Sequence, residues 1–240
     1  MVCLSILKES GMDTARISTR RFVIAVGIVA AIESVLLIVA ASEWFAGRPG
    51  FSALAATGAA RITAIAALLL LFYPRPEGLA AIGLAAGRLQ GGIRAGLIWS
   101  STFGLIAGAG ALALTAFGID ALALVRVGLP TETGRVIQFM VVGGLVAPIA
   151  EELFFRGVIY GYFRSRLMPA FGKTGIAWAV VVSTLLFVTA HGIRGGLPLT
   201  QIIGGFVFCI AYERSKSLAA PIIIHSLGNT ALFSLSLLAR

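Results

Sequence analysis

Long apolar runs alternate with short polar connections along most of the chain. A helix that crosses a membrane needs about 20 mostly apolar residues. Seven segments of the sequence approach or exceed that length: 22–44, 51–73, 95–117, 136–163, 174–191, 198–212 and 218–238. The pattern predicts an all-α protein, a polytopic bundle of about seven transmembrane helices, with six to eight as the range.

Two parts of the chain fit this pattern less well. The segment 198–212 is short and contains Gly204 and Gly205, so we expect a tilted, thin or re-entrant helix there. Residues 79–94 follow two prolines, Pro74 and Pro76, that end the second helix. Their mixed composition is typical of a stretch that lies at the membrane interface.

Composition supports a membrane protein and excludes an ordinary soluble domain. Of the 240 residues, 58% are hydrophobic and 12% are charged, whereas about a quarter of a soluble domain is charged. We therefore expect one integral membrane domain over residues 1–240, with the lipid bilayer as its surroundings. The net charge of +9 does not indicate a nucleic-acid partner, because the basic residues occur singly between apolar runs.

The distribution of Lys and Arg predicts the orientation. Loops on the cytoplasmic side of a membrane carry an excess of basic residues. One set of loops holds twelve of them: Lys8, Arg16, Arg20, Arg21, Arg75, Arg88, Arg94, Arg164, Arg166, Lys173, Arg214 and Lys216. The other set holds five: Arg48, Arg126, Arg135, Arg194 and Arg240. We expect a cytoplasmic N-terminus in a bacterial or archaeal cell membrane.

Several ionisable or strongly polar residues fall inside the apolar segments instead. A charged group at the centre of a bilayer costs about 2.5–3.5 kcal/mol on insertion scales, and such residues mark functional sites by default. They are Glu33, Arg61, Glu151, Glu152, Arg156, His191, His225 and Asn229.

Residues 151–156 read Glu-Glu-Leu-Phe-Phe-Arg. A helix that stopped at Ala150 would be too short to span the membrane, so the carboxylates are expected within the span. Glu152 and Arg156 are four residues apart and can pair on one helix face. Glu151 points about 100° away from Glu152 and is free to face a cavity. The structural alternative is an interfacial charge cluster that caps a helix.

The two histidines of the chain both lie in apolar segments. His191 ends the segment 174–191, and His225 is followed at i+4 by Asn229, on the same helix face. Taken singly, these residues could be interfacial groups or polar contacts between helices. A Glu pair, two His and one Asn on three helices indicate a site within the membrane.

The ordered motifs Glu-Glu-x-x-x-Arg, Phe-x-x-x-His and His-x-x-x-Asn resemble the CPBP intramembrane proteases. This family includes CAAX prenyl endopeptidases and bacteriocin-processing enzymes and is also called the Abi family. The resemblance covers residues 136–235, the expected catalytic core. It implies an endopeptidase that hydrolyses a peptide bond of a membrane-associated peptide or protein. The substrate could carry a prenylated C-terminal motif, a bacteriocin leader or a C-terminal sorting signal.

The resemblance also implies a role for each motif residue. Glu151 with His191 would activate a water molecule, and His225 with Asn229 would stabilise the oxyanion. Glu152, Arg156 and Phe187 would support the site.

A metal ion is possible in this scheme, because Glu151, His191 and His225 could together bind zinc. Water activation by glutamate alone uses the same residues. We favour the metal-free scheme, since Asn is a poor zinc ligand and a good oxyanion donor, and no cofactor is firmly expected.

Two other functions compete with the protease. One is a non-catalytic scaffold or bacteriocin-immunity protein of the same fold. The other is a small transporter in which buried Glu and His residues relay protons. A transporter should show pseudo-symmetric halves with matching broken helices, and the sequence shows none.

Glu33 and Arg61 stand outside the motifs. Counted from the short connection between the first two segments, both lie about 15–17 Å below the outer surface. We expect an interhelical ion pair, with a place in the substrate cavity for one of them as the alternative.

Overall fold

The computed structural model describes residues 16–42, 53–74, 78–192 and 198–239, and within these ranges it contains helices and no strand. The first four helices are α1 (Thr19–Ala41), α2 (Ala53–Phe72), α3 (Gly78–Ala81) and α4 (Ala86–Ala116). Ser18 caps α1, since its hydroxyl accepts a hydrogen bond from the Arg21 backbone N–H. Helices α1 and α2 pack against each other.

A long helical stretch follows and changes its winding twice. It comprises α5 (Thr133–Val141), a π-helical turn at Val142–Val146, α6 (Ala147–Glu152), a π-helical stretch at Leu153–Tyr160, and α7 (Gly161–His191). Two further helices complete the described chain, α8 (Leu199–Ser215) and α9 (Ala219–Leu238). The expected all-α fold is confirmed.

The expected number of about seven spans is slightly higher than the number of long apolar helical stretches in the described chain. Five helical stretches among the described residues are long and apolar enough to cross a membrane. The predicted segments 136–163 and 174–191 both fall within one of them, Thr133–His191. The segment 198–212 corresponds to α8, which has 17 residues and is shorter than a typical span.

The stretch Thr133–His191 turns back on itself inside α7. Its 59 residues would measure about 88 Å as a straight helix, far more than a bilayer core. The turn lies at Gly172, whose φ of 56° and ψ of −133° are not helical. A Cβ atom on Gly175 would lie 2.3 Å from the Leu167 carbonyl oxygen, so glycine permits this close return.

The bundle has a basic end and an opposite end. We call the basic end the one that carries the start of α1, the Gly172 turn and the α8–α9 connection. The main apolar core lies at this end, where Leu218 donates its backbone N–H to the Gly83 carbonyl oxygen. Its fully buried side chains include Phe72, Ile82, Tyr160, Tyr212 and Leu218.

The opposite end, which we call the open end, carries His191 and the last turn of α9. Packing is sparse there: every residue of α4 from 101 to 110 is exposed to the surroundings of the bundle. The stretch 79–94, expected at the interface, lies at the basic end, and most of it is helical because α4 begins at Ala86.

Candidate active site within the helix bundle

Glu151 and Glu152 end the short helix α6, which lies between the two π-helical segments. Single π-helical turns inside α-helices occur frequently at functional sites, because the wider winding shifts side chains and frees backbone groups. The two carboxylates therefore end a short α-helical segment that has π-helical winding on both sides.

Asn229 binds to a backbone carbonyl that this distortion leaves free. In the π-helical turn the Ala147 N–H donates to the Val142 carbonyl oxygen instead of to Gly143. The next candidate donor is Pro148, which has no N–H. The Gly143 carbonyl oxygen instead accepts a hydrogen bond of 2.9 Å from Asn229 Nδ2. This contact ties α9 to the helix that carries the carboxylates.

Glu152 and Arg156 form a fully buried ion pair. Arg156 Nη1 lies 2.9 Å from Glu152 Oε1, and neither side chain is exposed. The guanidinium carbon of Arg156 lies 4.4 Å from the centre of the Phe187 ring and 4.9 Å from that of Phe208. Arg156 Nη2 also donates to the Gly205 carbonyl oxygen at 3.4 Å. Aromatic faces and a counter-ion thus hold a charge in the bundle interior.

The tautomer of His191 follows from its neighbours. Its Nδ1 lies 2.8 Å from the Phe187 carbonyl oxygen. A carbonyl can only accept, so Nδ1 carries the hydrogen. Nε2 then faces Glu151 Oε2 at 3.5 Å.

His225 is oriented in the same way. Its Nδ1 lies 2.8 Å from Glu152 Oε1, and a carboxylate oxygen accepts the hydrogen. Its ring stacks on Phe208, with 4.6 Å between ring centres. Its Nε2 lies 3.8 Å from Glu151 Oε2. The Nε2 atoms of both histidines therefore converge on one carboxylate oxygen.

This arrangement can hold and polarise a water molecule. His191 Nε2, His225 Nε2 and Glu151 Oε2 can each accept a hydrogen bond, and they lie close together. A water molecule that donates hydrogen bonds to them would relieve the repulsion between their lone pairs. Glu151 is 16% exposed and His191 30%, whereas His225 is 7% exposed. Glu151 and His191 are thus the members that a reactant can reach.

The structure brings together all seven motif residues that the sequence singled out, Glu151, Glu152, Arg156, Phe187, His191, His225 and Asn229. Sequence reasoning missed Phe208, which contacts both Arg156 and His225. A phenylalanine in an apolar segment carries no signal of such a role. Sequence reasoning also missed the Gly143 carbonyl as the partner of Asn229. Pro148, five residues further on, could have indicated that this carbonyl lacks a backbone donor.

Glu33 and Arg61 meet as expected from their depths: Arg61 Nη1 donates a hydrogen bond to Glu33 Oε1. Helix α2 also packs against α6, and the Arg61 charge interacts electrostatically with Glu151. The pair therefore joins α1 to α2 on the side of the bundle that borders the site.

The described residues do not present a recognisable metal site. No group of three or more His, Cys, Asp or Glu side chains within them is arranged to hold a metal ion. The set Glu151, His191 and His225, which could have bound zinc, does not form such a group.

Fold and site define a polytopic helical membrane protein with a carboxylate–histidine centre between its helices. Residues 133–231 match the family described as "Type II CAAX prenyl endopeptidase Rce1-like". The resemblance to CAAX prenyl endopeptidases is thereby confirmed for this part of the chain, which contains all the motif residues.

Two curated relatives are each similar to a little over a third of the chain. YdiL of Bacillus subtilis, a candidate membrane peptidase, is 32% identical over 91 residues, 38% of this chain and 34% of the relative. The membrane-embedded CAAX protease MroQ of Staphylococcus aureus is 37% identical over 87 residues, 35% of this chain and 34% of the relative. The chain spans about a third of the length of these relatives. No solved structure gives a significant match.

Proposed function

We propose that this protein is an intramembrane endopeptidase that hydrolyses a peptide bond of a membrane-associated peptide or protein. The observation that carries the proposal is the convergence of the two histidine Nε2 atoms on Glu151 Oε2, 3.5 and 3.8 Å away. The family match over residues 133–231 supports it.

In the proposed reaction Glu151, assisted by His191, is the general base. A water molecule held between the two side chains attacks the scissile carbonyl carbon while Glu151 takes one of its protons. The tetrahedral intermediate then collapses, and Glu151 returns the proton to the departing amine. General acid–base catalysis of this kind contributes about 10²–10⁴-fold to a rate.

His225 and Asn229 stabilise the oxyanion in this proposal. Asn229 Nδ2 uses one hydrogen on the Gly143 carbonyl oxygen and keeps a second for the substrate. His225 can donate from Nε2 only as an imidazolium, and the Glu152 carboxylate at its Nδ1 stabilises that positive charge. Glu152, Arg156 and Phe187 position this histidine and do not touch the reacting atoms.

Substitution of the base tests the proposal. In a mass-spectrometric comparison of membrane peptides, cells with Glu151→Gln should lose the product peptides by about 10²–10⁴-fold. His191→Ala should also lose the product peptides. Glu132→Gln serves as a matched control, because Glu132 is an exposed carboxylate that pairs with Arg135 at the start of α5. Near-normal turnover by a folded Glu151→Gln variant would exclude the mechanism.

The proposal also treats the reaction as metal-free. Elemental analysis of the active protein should then find no stoichiometric zinc, and chelators should not reduce turnover. Stoichiometric zinc together with loss of activity on chelation would assign the water activation to a metal instead.

Orientation and localisation belong to the same proposal. The protein is an integral membrane protein, and we infer that its basic end faces the cytoplasm of a bacterial or archaeal cell. Ten described Lys and Arg residues support this side: Arg16, Arg20, Arg21, Arg88, Arg94, Arg164, Arg166, Lys173, Arg214 and Lys216.

A further inference from the structure

The packing of the bundle differs sharply on the two sides of the candidate site. Except for Pro148, the largest fully buried side chains lie level with Glu152 or closer to the basic end. They include Tyr160, Tyr212 and Phe72. Beyond them, Glu213 accepts hydrogen bonds of 2.6 Å from both Tyr160 and Arg164. A layer of fully buried side chains therefore separates the site from the basic end.

Exposure of the site residues falls in the same direction. Glu151 and His191 are partly exposed, whereas Glu152 and Arg156 are fully buried. Arg156 lies one turn further along the helix toward the basic end than Glu152. For a molecule that comes from the open end, Glu151 is thus the last partly exposed polar group before the fully buried pair of Glu152 and Arg156.

The open end offers a path that the basic end lacks. Helix α5, which leads to the site from this end, contains no buried residue among its nine. Residues 101–110 of α4 are all exposed as well. At the open end, α4 is therefore not covered over residues 101–110, and α5 is covered only in part, where Phe139 packs against Phe233 of α9.

We propose that the substrate reaches Glu151 only from the open end of the bundle. With the basic end in the cytoplasm, the scissile bond then belongs to a peptide segment in the non-cytoplasmic half of the membrane. The substrate class is an exported or membrane-anchored peptide that presents an unwound segment on that side. This inference rests on the proposed protease function and adds the side from which the site is entered.

Side-specific thiol labelling tests the path of access. Ala147 lies four residues before Glu151 in α6, on the same helix face and toward the open end. Ala147→Cys is introduced after Cys3 and Cys209 are replaced by serine. A membrane-impermeant methanethiosulfonate that carries a sulfonate is then added to right-side-out or inside-out vesicles.

We expect Ala147→Cys to react roughly 10²-fold faster in right-side-out vesicles, because a charged reagent crosses the bilayer core poorly. Ala150→Cys is the matched control within the same helix: Ala150 is 4% exposed and should react from neither side. Ala170→Cys, exposed beside the Gly172 turn, should react only in inside-out vesicles.

Faster reaction of Ala147→Cys from the side that labels Ala170→Cys would overturn the proposal. Reaction from neither side, with labelling only after unfolding, would overturn it as well, since the site would be closed at both ends. Labelling does not require turnover, so its outcome is independent of the Glu151→Gln experiment. Active cleavage by Glu151→Gln with the expected labelling would reject the protease mechanism and leave the path of access in place.

Discussion

At the scale of single residues, Asn229 combines a structural contact with a proposed catalytic one. Its amide holds the carbonyl that Pro148 leaves without a partner, and its remaining N–H faces the reaction in our proposal. Asn229→Ala should therefore lower kcat by about 10²–10³-fold, the usual effect of removing one oxyanion donor. Steady-state kinetics on a cleaved peptide measures it.

The neighbouring Thr230→Ala is a suitable control, because Thr230 is exposed on the same turn of α9. It should leave kcat unchanged. A rise in KM for Asn229→Ala with an unaltered kcat would contradict the oxyanion role. The lost interaction would then have stabilised the bound substrate and the transition state equally.

Sequence reasoning could select the candidate site residues but could not predict their geometry. Glu151, His191, His225 and Asn229 could be selected because polar groups in apolar segments are costly and rare. The mutual distances could not be predicted, because counting residues along straight helices placed these groups at different depths. The π-helical winding around Glu151 changes the rise per residue, and no hydrophobic period encodes it.

At the scale of helices, Glu33 and Arg61 join α1 to α2 through a partly buried ion pair. Removing one partner leaves the other charge unpaired, at about 2.5–3.5 kcal/mol on insertion scales. Glu33→Gln or Arg61→Met should therefore lower the melting temperature in detergent or the expression level. The double substitution should recover much of the loss and keep protease activity.

The stability of the double variant, compared with that of the two single variants, tests whether Glu33 and Arg61 are coupled. If the losses of the two single variants simply add in the double variant, the residues are not coupled and the contact contributes nothing. If stability recovers but activity does not, Arg61 has a further role at Glu151, whose charge it influences.

A second pair of helices is joined at the basic end by Glu213, just beyond the segment 198–212. Burial alone would raise the pKa of Glu213, but hydrogen bonds from Arg164, Lys216 and Tyr160 outweigh it and lower the pKa. A carboxyl whose pKa is lower in the folded state stabilises the protein at neutral pH. That stabilisation is lost as the pH falls through the folded-state pKa.

Glu213→Gln should therefore lower the melting temperature at pH 7 and flatten its decline in acid. Arg164, which is 4% exposed, would lose its carboxylate partner, and breaking a buried pair costs about 3–5 kcal/mol. Thermal unfolding in detergent from pH 7 down to pH 3 measures both effects. An unchanged pH dependence would show that Glu213 is not linked to folding.

At the scale of the whole molecule, composition was enough to predict the all-α membrane fold, and the expected number of about seven spans is slightly higher than the five long apolar stretches of the described chain. Apolar length alone cannot tell two spans from one bent helical stretch, as in Thr133–His191. It also cannot tell a short helix such as α8 from a complete crossing. Position 47, which the expected orientation would place outside the cell, lies beyond the described residues.

The two ends of the described chain lie at opposite ends of the bundle, which makes a sharp prediction about topology. Ile17, before α1, packs in the core of the basic end. Near the end of α9, the Ser236 hydroxyl accepts a hydrogen bond from the Val127 N–H at the open end.

With the basic end inside, Gln90→Cys should react with an impermeant thiol reagent only from the cytoplasm, and Leu238→Cys only from outside. The reversed pattern would overturn the orientation inferred from the basic residues and place the entrance of the site in the cytoplasm. Labelling of both positions from one side would contradict the parallel course of α4 and α9, which pack along each other with Gly96 beside Ala220 and Ile223.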